Sequence, residues 1–277
     1  MPATAPPAAS APARRTALVT GASSGIGAAF AEALAQQGHQ LVLTARRADR
    51  LEALAARLRS THGVPVHVLP ADLADPLACD ALVAQLQAAQ LQVDVLVNNA
   101  GYGVPGSYLS ARWSTHADFL QVLVTSVAQL THLLLPGMQQ RRYGRIVNVA
   151  SLAGLVPGVA GHTLYPAAKA FLVKFSESLH AEVSARGVFV SALCPGFTWS
   201  EFHDVTGTRA KMNAMPAWMW MTAEDVVAEG LAAVQAGRPV CVPGRVNRAV
   251  ATLTRLLPPA LARRLVQRRS GSFRDSR

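Results

Sequence analysis

Charge is scarce in this chain: 15% of its 277 residues are Asp, Glu, Lys or Arg, while 51% are hydrophobic. That composition excludes a charged, disordered protein and fits one large domain with a substantial core. Cysteine is scarcer still. Cys79, Cys194 and Cys241 are far apart, odd in number and in no CxxC pair. This argues against a disulfide framework or a metal site, and for a reducing, cytoplasmic setting with each cysteine a small buried apolar residue. No stretch approaches 18 uninterrupted apolar residues, so no spanning helix is expected. Met1 to Arg15 is rich in Pro and Ala without the apolar core of a signal peptide. It reads as a flexible leader, a targeting segment being the alternative.

Acids are nearly missing from the other end. Residues 244–277 hold nine arginines against Asp275 alone, so eight of the ten net positive charges sit there. The basicity belongs to this tail and does not make the rest of the chain a nucleic-acid binder. The tail also lacks an aromatic platform or recognition motif.

Short apolar runs alternate with longer helical patterns. Strands are expected at Leu18-Val19, Leu41–Leu43, Val66–Leu69, Val93–Val97, Ile146–Val149, Val188–Leu193 and Val240–Val242. Helices are expected between them, including a long one over Thr115–Gln140. Val- and Leu-rich strands each followed by a helix predict an α/β fold: a Rossmann-like, doubly wound, seven-stranded parallel sheet with helices on both faces. One domain is expected over 16–244, with a basic amphipathic extension over 245–277.

Two motifs carry chemistry. Gly21, Gly25 and Gly27, with Ser23, Ser24 and Ile26 between them, follow the first strand and open a helix. Glycines there allow a tight turn and close approach of backbone to a pyrophosphate, and the helix N-terminus offers free N–H groups. The second motif is Tyr165 with Lys169 four residues on, fourteen residues after Ser151. Residues i and i+4 share a helix face, so the Lys169 ammonium is expected to pull the Tyr165 phenol below its usual pKa of about 10. A phenol so tuned exchanges a proton with an alcohol or carbonyl, and Ser151 can hold the same oxygen. Pro166 directly after Tyr165 places the helix start near Thr163, a plausible N-cap. At the end of the second strand, Arg46-Arg47 stand where an acid would select NAD, so Arg46 points to the 2′-phosphate of NADP(H). A solvated surface pair is the other reading of these arginines.

With Asn98-Asn99-Ala100-Gly101 and Pro195-Gly196 in order between and after these motifs, the chain resembles the short-chain dehydrogenase/reductase family over roughly residues 15 to 245. The resemblance implies an NADP(H)-dependent oxidoreductase interconverting a carbonyl and an alcohol. Ser151, Tyr165 and Lys169 would be catalytic, with Lys169 also holding the nicotinamide ribose. Asp72 would contact the adenine. Asn98, Ala100 and Gly101 would line the cofactor cleft, and Pro195, Gly196 and Thr198 would hold the nicotinamide amide.

Two departures stand out. The family's usual serine-to-tyrosine gap is thirteen, so one extra residue falls in Val156–Gly161. Counting back from Thr131…Pro136-Gly137-Met138 puts Leu123 where many members carry an asparagine thought to anchor a proton-relaying water. Thr125 or Ser126 would have to substitute, or the relay is weakened. Together these two departures keep open a non-catalytic, cofactor-binding regulatory or scaffold protein. His162, three residues before Tyr165, is a structural residue or a substrate contact.

Three of four tryptophans and four of six methionines fall between Thr198 and Met221. They read as a lid over an apolar substrate, or as packing onto the domain or a second subunit. Val122, Leu130, Leu133, Phe171, Phe175 and Leu179 supply apolar positions for the homodimer or homotetramer contacts common in the family, unless they face the sheet. In the tail, Pro258-Pro259 divides an interleaved Leu/Val/Arg run into two short helices. These either pack on the domain or lie peripherally on an anionic membrane.

Overall fold

The computed structural model describes residues 14–104, 106–161, 163–199 and 216–270. His162 and most of the expected lid, with Met212 and Met215, lie outside them. The strands of the main sheet are β1 (Thr16–Thr20), β2 (Gln40–Thr44), β3 (Val66–Val68), β4 (Val93–Asn98), β5 (Gly144–Val149), β6 (Val188–Leu193) and β7 (Val240–Cys241). They form one seven-stranded sheet in the order β3-β2-β1-β4-β5-β6-β7, parallel throughout. The order reverses between β1 and β4, which opens a crevice at the carboxyl ends of those two strands.

Period-two alternation along the strands feeds two cores. Ala17, Val19, Leu41 and Leu43 pack against Phe30 and Leu34 of α1 (Gly25–Gln36), Leu51 and Leu58 of α2 (Ala48–His62), and Val226 and Leu231 of α7 (Ala223–Gln235). The intervening Leu18 and Val42 face the other way. There they meet Cys79, Leu82 and Leu86 of α3 (Ala78–Ala88), and the long middle helix with α6 (Leu164–Val183). All three cysteines are free and buried.

The middle helix is continuous over Trp113–Gln140 but not uniform. It comprises α4 (Trp113–Leu120), a π-helical turn over Gln121–Thr125 and α5 (Ser126–Gln140). It is long and apolar enough to cross a membrane by length and composition, yet here it packs on β4, β5 and α3. Of the six expected contact residues, Val122, Leu130 and Leu179 are buried in the second core. Leu133 and Phe175 are half-buried, and Phe171 is exposed and stacked on Phe175.

Two short helices, α8 (Arg245–Leu256) and α9 (Pro259–Ser270), end the described chain, broken at the expected prolines. The expected boundary at residue 244 falls just before α8. Asn247 of α8 is buried against the Pro195-Gly196 loop, so closely that a Cβ on Gly196 would sit 2.3 Å from its Oδ1. The first turn of α8 is therefore part of the sheet domain.

Candidate active site

The glycine turn is pinned to the end of β4. The Thr20 hydroxyl accepts the Asn99 and Ala100 backbone N–H groups at 2.9 and 3.0 Å and donates to the Val97 carbonyl at 3.2 Å. The Asn99 side chain donates to the Thr20 and Gly21 carbonyls. Gly27 must be glycine, because a Cβ there would lie 2.3 Å from the Gly21 carbonyl oxygen. Gly21 adopts φ +64° against Ala100. Ser24, before Gly25 and Ile26, makes no side-chain cap, and the first turn of α1 carries no acid. Free N–H groups, the helix dipole and a side-chain-free floor suit a pyrophosphate.

Around this cradle the sheet's carboxyl edge gathers the other expected cofactor residues. Arg46 and Asp72 are exposed after β2 and β3. Both act on Tyr102, whose phenol burial pushes up; Asp118 and Asp72 add to that shift and Arg46 opposes it. Sequence reasoning undervalued the next residue. Arg47 donates to Ser23 Oγ from Nε and Nη2 at 3.3 and 2.9 Å, and to Ser24 Oγ at 3.0 Å. This contact joins two segments about 23 residues apart in sequence, and nothing local signals it.

Asn98 is placed differently from expectation. It is 3% exposed, and its amide donates to Asn148 Oδ1 (2.8 Å) and Thr131 Oγ1 (3.3 Å), leaving its Oδ1 without a hydrogen-bond partner. Asn148 in turn donates to Ser176. Asn98 thus ties β4 to β5 and α5 behind the cleft, while Ala100 and Gly101 are half-buried or exposed beside the glycine turn. Pro195 accepts the Leu152 N–H at 2.9 Å, and Thr198 donates to the Gly196 carbonyl at 3.2 Å, which fixes that loop beside Ser151.

Ser151 follows β5 and caps a 3₁₀ turn, Leu152–Gly154, by accepting the Ala153 N–H at 3.1 Å. Gly154 lets that turn press on α6, since a Cβ there would lie 2.6 Å from the Lys169 carbonyl carbon. Tyr165 is the second residue of α6, and Pro166 falls in the first turn, where an N–H has no helical partner. Thr163 precedes the helix as expected but does not cap it; its backbone is already helical and its side chain makes no cap bond.

The extra residue in the Val156–Gly161 loop leaves Ser151 and Tyr165 hydrogen-bonded. The expectation that Lys169 lowers the Tyr165 pKa is corrected. Burial dominates and pushes the phenol up, and the Ser151 hydrogen bond pulls it part of the way back. The Lys169 ammonium donates to the Val149 carbonyl at 2.7 Å and lies 5.6 Å from the Tyr165 ring centre. Burial lowers its own pKa to about 8. Leu123 is wholly buried in the π turn, against Gly101. Neither expected substitute stands free: Thr125 is exposed, and the Ser126 hydroxyl bonds the Val122 carbonyl at 2.8 Å.

His116 was also missed. It sits one turn into α4, buried, and lines a cavity with Tyr165. The available signal was its phase: His116, Phe119 and Leu123 recur at helical spacing on the buried face.

The family model for short chain dehydrogenases matches residues 15–210. The nodulation protein G of Rhizobium sp. (strain N33) is 40% identical over 206 residues, 73% of this chain and 81% of that protein. A sulfoacetaldehyde reductase of Chromohalobacter salexigens is 39% identical over 215 residues, 75% of this chain and 83% of that protein. Among solved structures, a short-chain dehydrogenase from Sphingobium yanoikuyae in complex with NADPH is 33% identical, with a TM-score of 0.77 over 95% of this chain and 96% of that one. One from Burkholderia phymatum in complex with NAD is 28% identical, with a TM-score of 0.77 over 87% of this chain and 92% of that one.

Proposed function

Because the chain belongs to the short-chain dehydrogenase family, we propose that it is an NADP(H)-dependent oxidoreductase interconverting a carbonyl and an alcohol on an apolar substrate. The observation that carries this reading is the hydrogen-bonded Ser151–Tyr165 pair beside buried Lys169, at the same carboxyl edge of the sheet as the glycine cradle. When bound, a nicotinamide dinucleotide supplies or accepts the hydride.

Ser151 holds the substrate oxygen. Tyr165, protonated at neutral pH because burial raises its pKa, donates its proton to that oxygen during reduction. The Lys169 ammonium, fixed by the Val149 carbonyl, then stabilises the phenolate left behind. Gly21, Gly25, Gly27 and the α1 N-terminus would hold the pyrophosphate. Asp72 would take the adenine, and the loop of Pro195, Gly196 and Thr198 the nicotinamide amide.

Preference for NADP(H) is supported by Arg46 at the end of β2 and by Arg47 against Ser23 and Ser24, with no acid before Asp49. The rival, a non-catalytic scaffold, is favoured only by buried Leu123. Absorbance at the reduced-cofactor band with a panel of lipophilic ketones separates them. NADPH consumption is expected to exceed NADH consumption, and Arg46→Asp to reverse that order. Tyr165→Phe is expected to lose activity by about three orders of magnitude while still binding NADPH. A Phe variant keeping a tenth of the rate sinks Tyr165 as the acid, and a protein that binds NADPH but reduces no ketone favours the scaffold.

Assembly as a homodimer or homotetramer is supported by Phe171 of α6, exposed and stacked on half-buried Phe175; a monomeric mass in light scattering would oppose it. The apolar-substrate reading is supported by Trp199, which stacks on Trp220 at 4.1 Å where the lid begins and ends. Three free cysteines agree with a cytoplasmic setting. Peripheral contact with an anionic membrane is supported by leucines that α8 and α9 leave exposed among arginines.

A further inference from the structure

The loop proposed to hold the nicotinamide amide leads directly into the expected lid. Phe197-Thr198 pair in parallel with Trp220-Met221, and the Trp199 N–H donates to the Met221 carbonyl at 3.0 Å. The segment that leaves the loop is thus tied to the one that leads into α7. Both meet one side chain from the tail. Asn247, the third residue of α8, is 6% exposed. Its Nδ2 donates to the Pro243 carbonyl at 2.8 Å and lies 3.7 Å from Met221 Sδ. Glu229 of α7 anchors this turn, accepting the Gly244 N–H at 3.0 Å and pairing with Arg248 at 2.8 Å.

Gly196 measures how close the contact is. A Cβ there would lie 2.3 Å from Asn247 Oδ1, 2.7 Å from its Cγ and 2.8 Å from its Nδ2, the three nearest atoms it would meet. Gly196 is not among the glycines with positive φ, so its backbone conformation does not call for glycine. The Asn247 amide does. That amide does not swing aside cheaply, because it is buried and its Nδ2 is bound to Pro243. Asn247 also lies beyond residues 15–210, the span that the family model matches.

We propose that Asn247 is a positioning residue for the cofactor: its amide is the support against which Gly196 packs, and it sets where the Pro195–Thr198 loop presents its backbone to the nicotinamide. The proposal rests on the oxidoreductase reading, in which that loop holds the nicotinamide amide. A loop held in its binding conformation before the cofactor arrives loses less freedom on binding. Without the Asn247 amide the cofactor itself must order the loop, at a cost in affinity. The cost falls on the nicotinamide end alone. Arg46 and Asp72 follow β2 and β3, in the half of the sheet across the β1/β4 crevice from β6, which leads into Pro195.

Two ligands separate the ends. NADPH reaches both, while adenosine 2′,5′-bisphosphate carries the adenine and the 2′-phosphate but no nicotinamide. Titration calorimetry on the full chain reads both dissociation constants. Asn247→Ala is expected to raise the NADPH Kd about tenfold and to leave that of the bisphosphate within about twofold of the wild type. Gly196→Ala, whose new methyl meets the amide, is expected to weaken NADPH alone by a similar factor. In the double variant the methyl takes up space that the amide has left. The NADPH Kd is then expected to return to within about threefold of the wild type, because residues in contact do not act independently. Equal weakening of both ligands in Asn247→Ala would mark the residue as merely structural and overturn the proposal. An unchanged NADPH Kd in that variant, or losses that multiply in the double variant, would overturn it as well. A wild-type protein that binds no reduced nicotinamide dinucleotide removes the oxidoreductase reading and this proposal with it.

Discussion

Lys169 holds a charge where the fold disfavours one. It is 5% exposed, and burial brings its pKa from 10.5 to about 8. Between those values the unfolded chain binds the proton and the folded chain does not, so this group makes stability rise with pH across that window. At pH 7 the folded lysine is charged and costs on the order of 3 kcal/mol relative to a neutral group. Lys169→Met is thus expected to melt above the wild type at pH 7, with the gap closing by about pH 10.5. Scanning calorimetry of both proteins at each pH checks this, and the difference between them cancels the opposite contribution of Cys79, whose thiol burial pushes up to about 11. A gap that stays constant with pH would mean that Lys169 is not buried as a charge.

At the scale of elements, the middle helix is the one that departs from its sequence pattern. Apolar spacing predicts a uniform helix, and the structure inserts a π turn at Gln121–Thr125. Such turns cluster at functional sites because the extra residue rotates the face that follows. Leu123 fills the turn from inside, at van der Waals distance from where a Gly101 side chain would start. Leu123→Asn would remove a fully buried side chain and strand an amide among apolar neighbours. A loss of about 3 kcal/mol in urea unfolding is expected, with no gain in turnover. A stable variant with raised kcat would instead show that the turn accommodates a polar relay. The same scale explains why cutting after Gly244 is a poor probe of the tail. It removes Asn247 from under Gly196, beside the proposed nicotinamide loop.

For the whole molecule, the described part of the basic tail carries Arg245, Arg248, Arg255, Arg263 and Arg264 on two short helices. On α8 the buried side is Asn247 and Thr254, while Leu253 and Leu256 point outward, Leu256 being 77% exposed. Across the proline corner, Leu261 and Leu265 of α9 are exposed beside Arg263 and Arg264. Leucines on a cationic surface suit the interface of an anionic bilayer. Flotation with phosphatidylserine vesicles is expected to carry the protein up, phosphatidylcholine vesicles much less. Leu256→Glu with Leu261→Glu should abolish flotation without lowering the melting temperature. Equal flotation on both lipids, or none, removes the membrane reading.

Local pattern was enough for the sheet and for where the glycine turn and the Tyr165-bearing helix fall in it. Alternating strands and helices, the glycine turn, the Tyr165–Lys169 spacing and the proline break in the tail are all written within a few consecutive residues, where steric rules and helical periodicity act. The tertiary structure decided what depends on contacts between distant segments. It turned Asn98 into the sheet, brought Arg47 onto Ser23 and Ser24, and buried Asn247 under Gly196. It also let desolvation outweigh a neighbouring ammonium at Tyr165, because burial belongs to the packed domain and has no trace in the spacing of residues along one helix.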